Sequence, residues 1–198
     1  MKILLIGASG TLGTAVHHAL VSRGHEVRTA GRGSGDLRFD FTDPSGVTSL
    51  YDAAGTVDAV VCAAGPVPFK PLADLTAEDF RAGVDGKVLS QVELVRQGVS
   101  RIAERGSFTL ITGVLAREPV VGGSAASLAN GALESFVRAA AIEIAPRRVN
   151  AVSPTVFTES LPDYGDFFPG VPPVDLVAVA RAYVRSVEGA QTGQVFIP

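Results

Sequence analysis

Cys62 is the single cysteine among 198 residues, so no intrachain disulfide can form, and a reducing compartment suits the chain better than secretion. We expect a cytoplasmic protein. Nowhere do about eighteen apolar residues run together, and the N-terminal stretch Ile3-Leu4-Leu5-Ile6 stops at Gly7, too short for the core of a signal peptide. Lysine and arginine form no block, and the formal net charge of -3 is spread along the chain. No electrostatic footprint for nucleic acid or for an anionic membrane results. One cysteine and the scattered His17, His18 and His25 offer no metal-ligand spacing. Gly-x-Ser-x-Gly is missing too, which argues against a hydrolase nucleophile elbow. What remains is a small-molecule substrate or no partner of another class.

Apolar side chains make up 46% of the sequence, enough for one sizeable core, and no linker, repeat or low-complexity tract divides it. Residues 1–198 therefore read as a single domain. Short β-branched runs at Lys2–Ile6, Glu26–Thr29, Leu37–Phe41, Val57–Ala63, Phe108–Thr112, Val149–Val152 and Val195–Ile197 alternate with helical stretches. The predicted helices are Thr11–Arg23, Pro44–Ala53, a long one within Ala77–Glu104, Ser124–Ile144 and Val174–Val187. Asp43 before Pro44 reads as an N-cap, and Thr76 with Asp79 as a capping box. Because the strands are apolar on both faces, the fold class is α/β, a doubly wound parallel sheet of about seven strands covered on both sides. Thr155–Pro173 is proline-rich and aromatic and is expected to form an irregular loop, with Leu161–Val171 as a lid.

The turn Gly7-Ala8-Ser9-Gly10-Thr11-Leu12-Gly13 follows an apolar strand and opens a helix. In that position Gly7 permits a tight turn, Gly10 lets backbone approach a pyrophosphate, and Gly13 allows helix to pack on strand. Free N–H groups at the start of the helix then face the phosphates. Ser9, Thr11 and Leu12 belong to the same cradle.

From this turn to the end, the sequence resembles the short-chain dehydrogenase/reductase family, whose extended and atypical branches share the Gly7, Gly10, Gly13 spacing. The resemblance implies an NAD(P)-binding Rossmann fold. Cys62-Ala63-Ala64-Gly65 sits where the family usually has Asn-Asn-Ala-Gly, and Asn150-Ala151-Val152-Ser153-Pro154 resembles the strand entering the Pro-Gly turn beside the nicotinamide, with Thr155 replacing that glycine. Thr158 falls one position before the hydroxyl expected near the carboxamide, and Glu159 occupies that place. No acid closes the second strand to select NAD; Arg32 and Ser34 there suit a 2′-phosphate, so NADP is expected, with NAD as the alternative. Asp40 resembles the family aspartate that receives the adenine amino group.

The family's catalytic set is not retained. Registering Asn130-Gly131-Ala132-Leu133 on the small-residue turn after the family lysine puts Asn130 at the lysine, Ala126 at the tyrosine and Gly113 at the serine. Asp85, or Gly86 with one residue of slip, falls at the asparagine. None of Tyr51, Tyr164 and Tyr183 has a lysine four residues later. Substitute catalytic groups are sought at Thr112, Asn130, Glu159 and Tyr164, with Ser124 ahead of its helix as a further candidate acid. Two functions stay open: an NADP(H)-dependent oxidoreductase for a small carbonyl or alcohol with a non-standard site, and a non-catalytic NAD(P)-binding sensor or regulator. Small residues along Ala125–Ala132 favour close helix pairing, and the family pairs these helices across a twofold axis, so a homodimer or homotetramer is expected.

Overall fold

The computed structural model describes residues 1–40 and 42–198. Strands β1 (Lys2–Ile6), β2 (Glu26–Gly31), β3 (Leu37–Arg38), β4 (Val57–Cys62), β5 (Ile102–Ile111), β6 (Arg148–Val152) and β7 (Val195–Phe196) form one parallel sheet in the order β3-β2-β1-β4-β5-β6-β7. Phe41, the last residue predicted for the third strand, lies outside the described residues. The strands are interior because they are apolar on both faces: Ile3, Leu4, Leu5, Ala59 and Val61 are fully buried. Each large side chain buried in this way stabilises the fold by about 1.5–3 kcal/mol.

Helices α1 (Thr11–Ser22), α2 (Pro44–Ala54), α3 (Ala77–Gly83), α4 (Ser90–Gly98), α5 (Ser124–Glu143), α6 (Leu161–Tyr164) and α7 (Leu176–Glu188) complete the chain. Sequence-local signals start several of them. Asp43 Oδ1 accepts from Ser45 N at 2.9 Å ahead of Pro44, and Thr76 and Asp79 form the reciprocal capping box. Helix α1 buries Leu12, Gly13, Val16 and Leu20, and α7 buries Val179, Tyr183 and Val187 at helical spacing; the two helices pack together. Glu188 fastens that pair by accepting from the Arg23 guanidinium and from His25. On the other layer α2 packs on α4, and Tyr51 donates to Leu94 O across them at 2.5 Å.

Two stretches depart from their sequence expectation. The long helix expected within Ala77–Glu104 is interrupted by a π-helical turn, Val84–Leu89, between α3 and α4. Gly86 belongs to this turn, and a Cβ there would stand 3.2 Å from Pro66 O, so the helix approaches the loop after β4 closely enough to crowd a side chain. Ile102–Glu104 belongs to β5, which runs ten residues and crosses a register shift against β4 between Val57 and Ala59. Pairing to β4 therefore overrides the helical pattern there. The segment expected to be an irregular loop holds short helical pieces at Thr158–Ser160, Leu161–Tyr164 and Gly165–Phe167, and an edge-to-face contact between Phe167 and Phe69 at 5.0 Å ties it down.

Strand β1 lies between β2 and β4, so the chain winds outward from it in both directions. A crevice opens at this switch point, beyond the carboxyl ends of the strands.

Candidate functional site

Gly7 leaves β1 with φ of +83°, a left-handed conformation open to glycine, and a Cβ on Gly13 would stand 2.0 Å from Gly7 O. Helix α1 can therefore sit directly on the turn. Its first turn has no side-chain cap and no acidic residue, which leaves N–H groups facing the crevice.

On the β2 side, a hollow of about 500 Å³ is lined by Gly7, Ser9, Arg32, Ser34, Asp40 and Ala64, among others. Asp36, the acid nearest the end of β2, is engaged elsewhere. Its Oδ2 accepts from Thr29 N and Thr29 Oγ1, both at 2.8 Å, and these bonds hold its carboxyl below the usual range. The turn so tied presents Arg32 and Ser34 to the hollow. Asp40 Oδ1 accepts from Thr42 Oγ1 at 2.7 Å and Thr42 N at 3.0 Å; those bonds, with help from the Arg32 charge, keep it ionised well into acid.

Across Ala64 the crevice continues into a cavity of about 380 Å³. Leu12, Ala63, Gly65 and Pro154 line it, together with Gly113, Ala126 and Asn130, the positions expected from the sequence to replace a serine, a tyrosine and a lysine. A Cβ on Gly113 would lie 3.1 Å from Asn130 Nδ2, so the amide occupies space that a serine would need. Among the described residues, Asn130 Oδ1 and Thr155 Oγ1 are buried polar atoms without a hydrogen-bond partner, and both residues face this cavity. Buried polar atoms of that kind are usually satisfied, so two of them in one cavity wall are unusual.

Lys87 is the one charged side chain among the described residues lining the cavity. It comes from the π turn, its stem lies where a Gly65 Cβ would meet its Cγ at 2.9 Å, and its Nζ donates to Thr112 O at 3.4 Å. Gln91 fixes this arrangement. Its Nε2 donates to Lys87 O at 3.1 Å and to Ile111 O at 3.0 Å, and its Oε1 accepts from Ile111 N at 2.8 Å. Desolvation inside the concavity pulls the Lys87 pKa down to about 8. Cys62 is no rival nucleophile, since burial pushes its thiol up to about 12.

Behind the cavity wall lies a polar cluster absent from the sequence reading. Glu134 Oε1 accepts from Arg117 Nη1 at 2.6 Å, Ser153 Oγ at 3.0 Å and Thr112 Oγ1 at 3.3 Å, while Arg117 Nη2 donates to Ser153 Oγ at 2.9 Å. It locks the segment after β5 to α5 and β6. The Thr112 hydroxyl is thereby turned toward Glu134.

Two other predicted positions stay outside the cavity lining. Thr158 Oγ1 donates to Asp175 Oδ1 at 2.6 Å, and Glu159 Oε1 accepts from Leu176 N at 3.3 Å, so both serve the start of α7. Thr155, three residues earlier, faces the cavity instead. Tyr164 lines the cavity and is half exposed. Tyr51 and Tyr183 lie in the core, the latter donating to Cys62 O at 2.9 Å. Lys87 escaped the sequence reading although it follows Asp85 and Gly86 directly and is one of only three lysines.

Residues 11–170 match the family model of enoyl-(acyl carrier protein) reductases. A short-chain dehydrogenase/reductase of Stachybotrys chlorohalonatus is 29% identical over 183 residues, covering 77% of this chain and 72% of the relative. The crystal structure of protein lin1944 from Listeria innocua superimposes with a TM-score of 0.97 at 45% identity, over 100% of this chain and 98% of the other. A small-chain dehydrogenase in complex with NADPH shares the fold, with a TM-score of 0.89 at 24% identity over 100% and 96% of the two chains.

Proposed function

Because this chain belongs to the short-chain dehydrogenase/reductase family, we propose that it binds NADP(H) along the crevice and acts as an oxidoreductase on a small carbonyl or alcohol through a non-standard active site. The observation that carries the reading is one path running from the Arg32 hollow, over the Gly7–Gly13 turn, to a cavity lined by the polar residues Asn130, Thr155 and Lys87. The chemistry supplied by a bound nicotinamide dinucleotide is hydride transfer. The chain's own groups do the rest. Open N–H groups at the start of α1 suit the pyrophosphate, and the Arg32 guanidinium with Ser34 suits a 2′-phosphate. Asn130 and Thr155, polar residues of the cavity lining, suit the nicotinamide ribose and the carboxamide. Val114, Leu115, Phe157 and Phe168 give the cavity an apolar wall against which a hydrocarbon part of the substrate can exclude water. A relative of the same fold carries NADPH, which supports the choice of dinucleotide.

Titration calorimetry with NADPH and NADH is the test. Tighter binding of NADPH is expected; if neither binds, the reading fails. Tight NADPH binding with no turnover on a panel of aldehydes and ketones would favour the sensor alternative. Assembly belongs to the same proposal: Leu128 and Ile142 leave apolar surface on α5, suited to a twofold pairing that sedimentation at micromolar concentration would detect.

A further inference from the structure

The polar groups around the cavity differ in how far they are engaged. Thr112 Oγ1 is held by Glu134, Glu134 by Arg117 and Ser153, and Asn130 is an amide that neither gains nor loses a proton. Lys87 has a single long hydrogen bond, to Thr112 O, and its ammonium retains donors for something in the cavity. The charged groups of the elements packed around it point elsewhere. On α4 Glu93 pairs with Arg96, on α3 Glu78 pairs with Arg81 and Asp79 with Lys70, and Asp85 of the same turn is exposed. Cys62 on β4 is a neutral thiol, and Tyr164 reaches the cavity from α6 with half its surface in solvent.

The position is specific as well as available. The π turn, the Gln91 clamp and the space left at Gly65 together bring the lysine in from the turn ahead of α4, on a different element from the helix that supplies Asn130 and Ala126. A π turn within a helix commonly marks a functional position, because it displaces one side chain from the helical face.

We propose that Lys87 is the catalytic acid of this site, its Nζ giving the proton that the carbonyl oxygen of the substrate receives on reduction. This rests on the oxidoreductase reading above. The proton leaves Nζ as the carbonyl carbon accepts a hydride equivalent from the reduced dinucleotide. The C=O π bond becomes a C–H and an O–H bond, the dinucleotide is oxidised, and Nζ remains a neutral amine that reprotonates from water. In the reverse direction the neutral amine takes the hydroxyl proton. An acid that changes charge near neutrality can do both.

Lys2, Lys70 and Lys87 are the only lysines, so incorporation of [13Cε]lysine lets NMR follow each amine separately in the protein without dinucleotide. Lys87→Met assigns the third resonance. The expected result is one amine titrating near pH 8, displaced when NADP+ is added. Reductive kcat/KM falls as pH rises through the same value. Lys87→Met lowers kcat/KM by about 100- to 10,000-fold, and Lys87→Arg, which keeps the charge without releasing the proton, loses both rate and pH limb. Both variants keep NADPH affinity within about threefold by calorimetry.

An amine at Lys87 that titrates at an ordinary ~10.4 overturns the proposal. So does Lys87→Met with undiminished turnover, or an unmodified protein that binds NADPH and reduces no carbonyl. Calorimetry separates the two readings: failure to bind either dinucleotide removes the oxidoreductase reading itself, whereas NADPH binding with an unperturbed lysine removes only the role of Lys87.

Discussion

Along the β2 side of the crevice, Asp36 is satisfied by Thr29 and Asp40 by Thr42, partners within seven residues in the chain. Along the β5 and β6 side, Asn130 Oδ1 and Thr155 Oγ1 lack partners, and Lys87 is held by one bond to a carbonyl 25 residues away. The first side is a cradle whose parts stabilise one another locally. The second is an enclosure built from widely separated stretches of chain, with polar groups kept short of partners at a cost in stability. Sites that await a ligand are expected to carry that cost, because the ligand supplies what is missing.

The sharpest way to break the cradle is Gly13→Ala. A Cβ 2.0 Å from Gly7 O forces α1 off the turn, so NADPH affinity should fall by about 100-fold or more, with a destabilisation of about 1–3 kcal/mol seen in urea unfolding. Unchanged binding would mean that close helix approach is not what holds the phosphates. Arg32→Ala tests the same side more gently. Loss of a charge-assisted contact of roughly 1.5–3 kcal/mol should narrow the preference for NADPH over NADH by about ten- to a hundredfold, measured by calorimetry with both dinucleotides.

On the other side the comparison predicts a gain. The Lys87 pKa is lowered to about 8 from 10.5, so between those values the unfolded chain binds more protons, and stability contributed by this group rises with pH. At pH 7 the desolvated, half-buried cation opposes folding. Lys87→Met should therefore unfold at higher urea than the unmodified protein at pH 7, by about 1–3 kcal/mol, and the difference should shrink at pH 9.5. A destabilised Lys87→Met at pH 7 would show that the ammonium is a structural anchor.

The smallest effect expected is far from the crevice. Arg23 and then His25 hold Glu188 down to about 2 from 4.5, which makes its contribution present above the ordinary carboxylate range and lost as pH falls from about 4.5 to about 2. Because the pair is partly exposed, Arg23→Ala should lower the urea midpoint only slightly, at pH above that window, and leave NADPH binding unaltered.

Legibility followed the same division. The strand, turn and helix around Gly7 were readable because apolar period, glycine spacing and the Asp43 cap act over a few residues. Thr155 and Thr158 were harder to separate. Both are hydroxyls after β6, and their difference arises because Asp175, seventeen residues on, engages Thr158 and leaves Thr155 facing the cavity. Register against the family placed Gly113, Ala126 and Asn130, which the fold gathers on one cavity, yet the same register stopped at Asp85 and Gly86 and passed over Lys87.

By itself the sequence determined a single α/β domain, an interior parallel sheet, a tight glycine-rich turn after β1, and the absence of a tyrosine and lysine four residues apart. Each depends on side-chain type or short-range spacing. The tertiary structure alone decided which polar groups meet: Arg117 with Glu134 and Ser153, Gln91 across the end of β5, and Lys87 against Gly65 and Thr112. Those meetings depend on how crossovers stack helices on the sheet and on a π turn that displaces one lysine. Neither is encoded in the periodicity of any one segment; both come from packing the segments together.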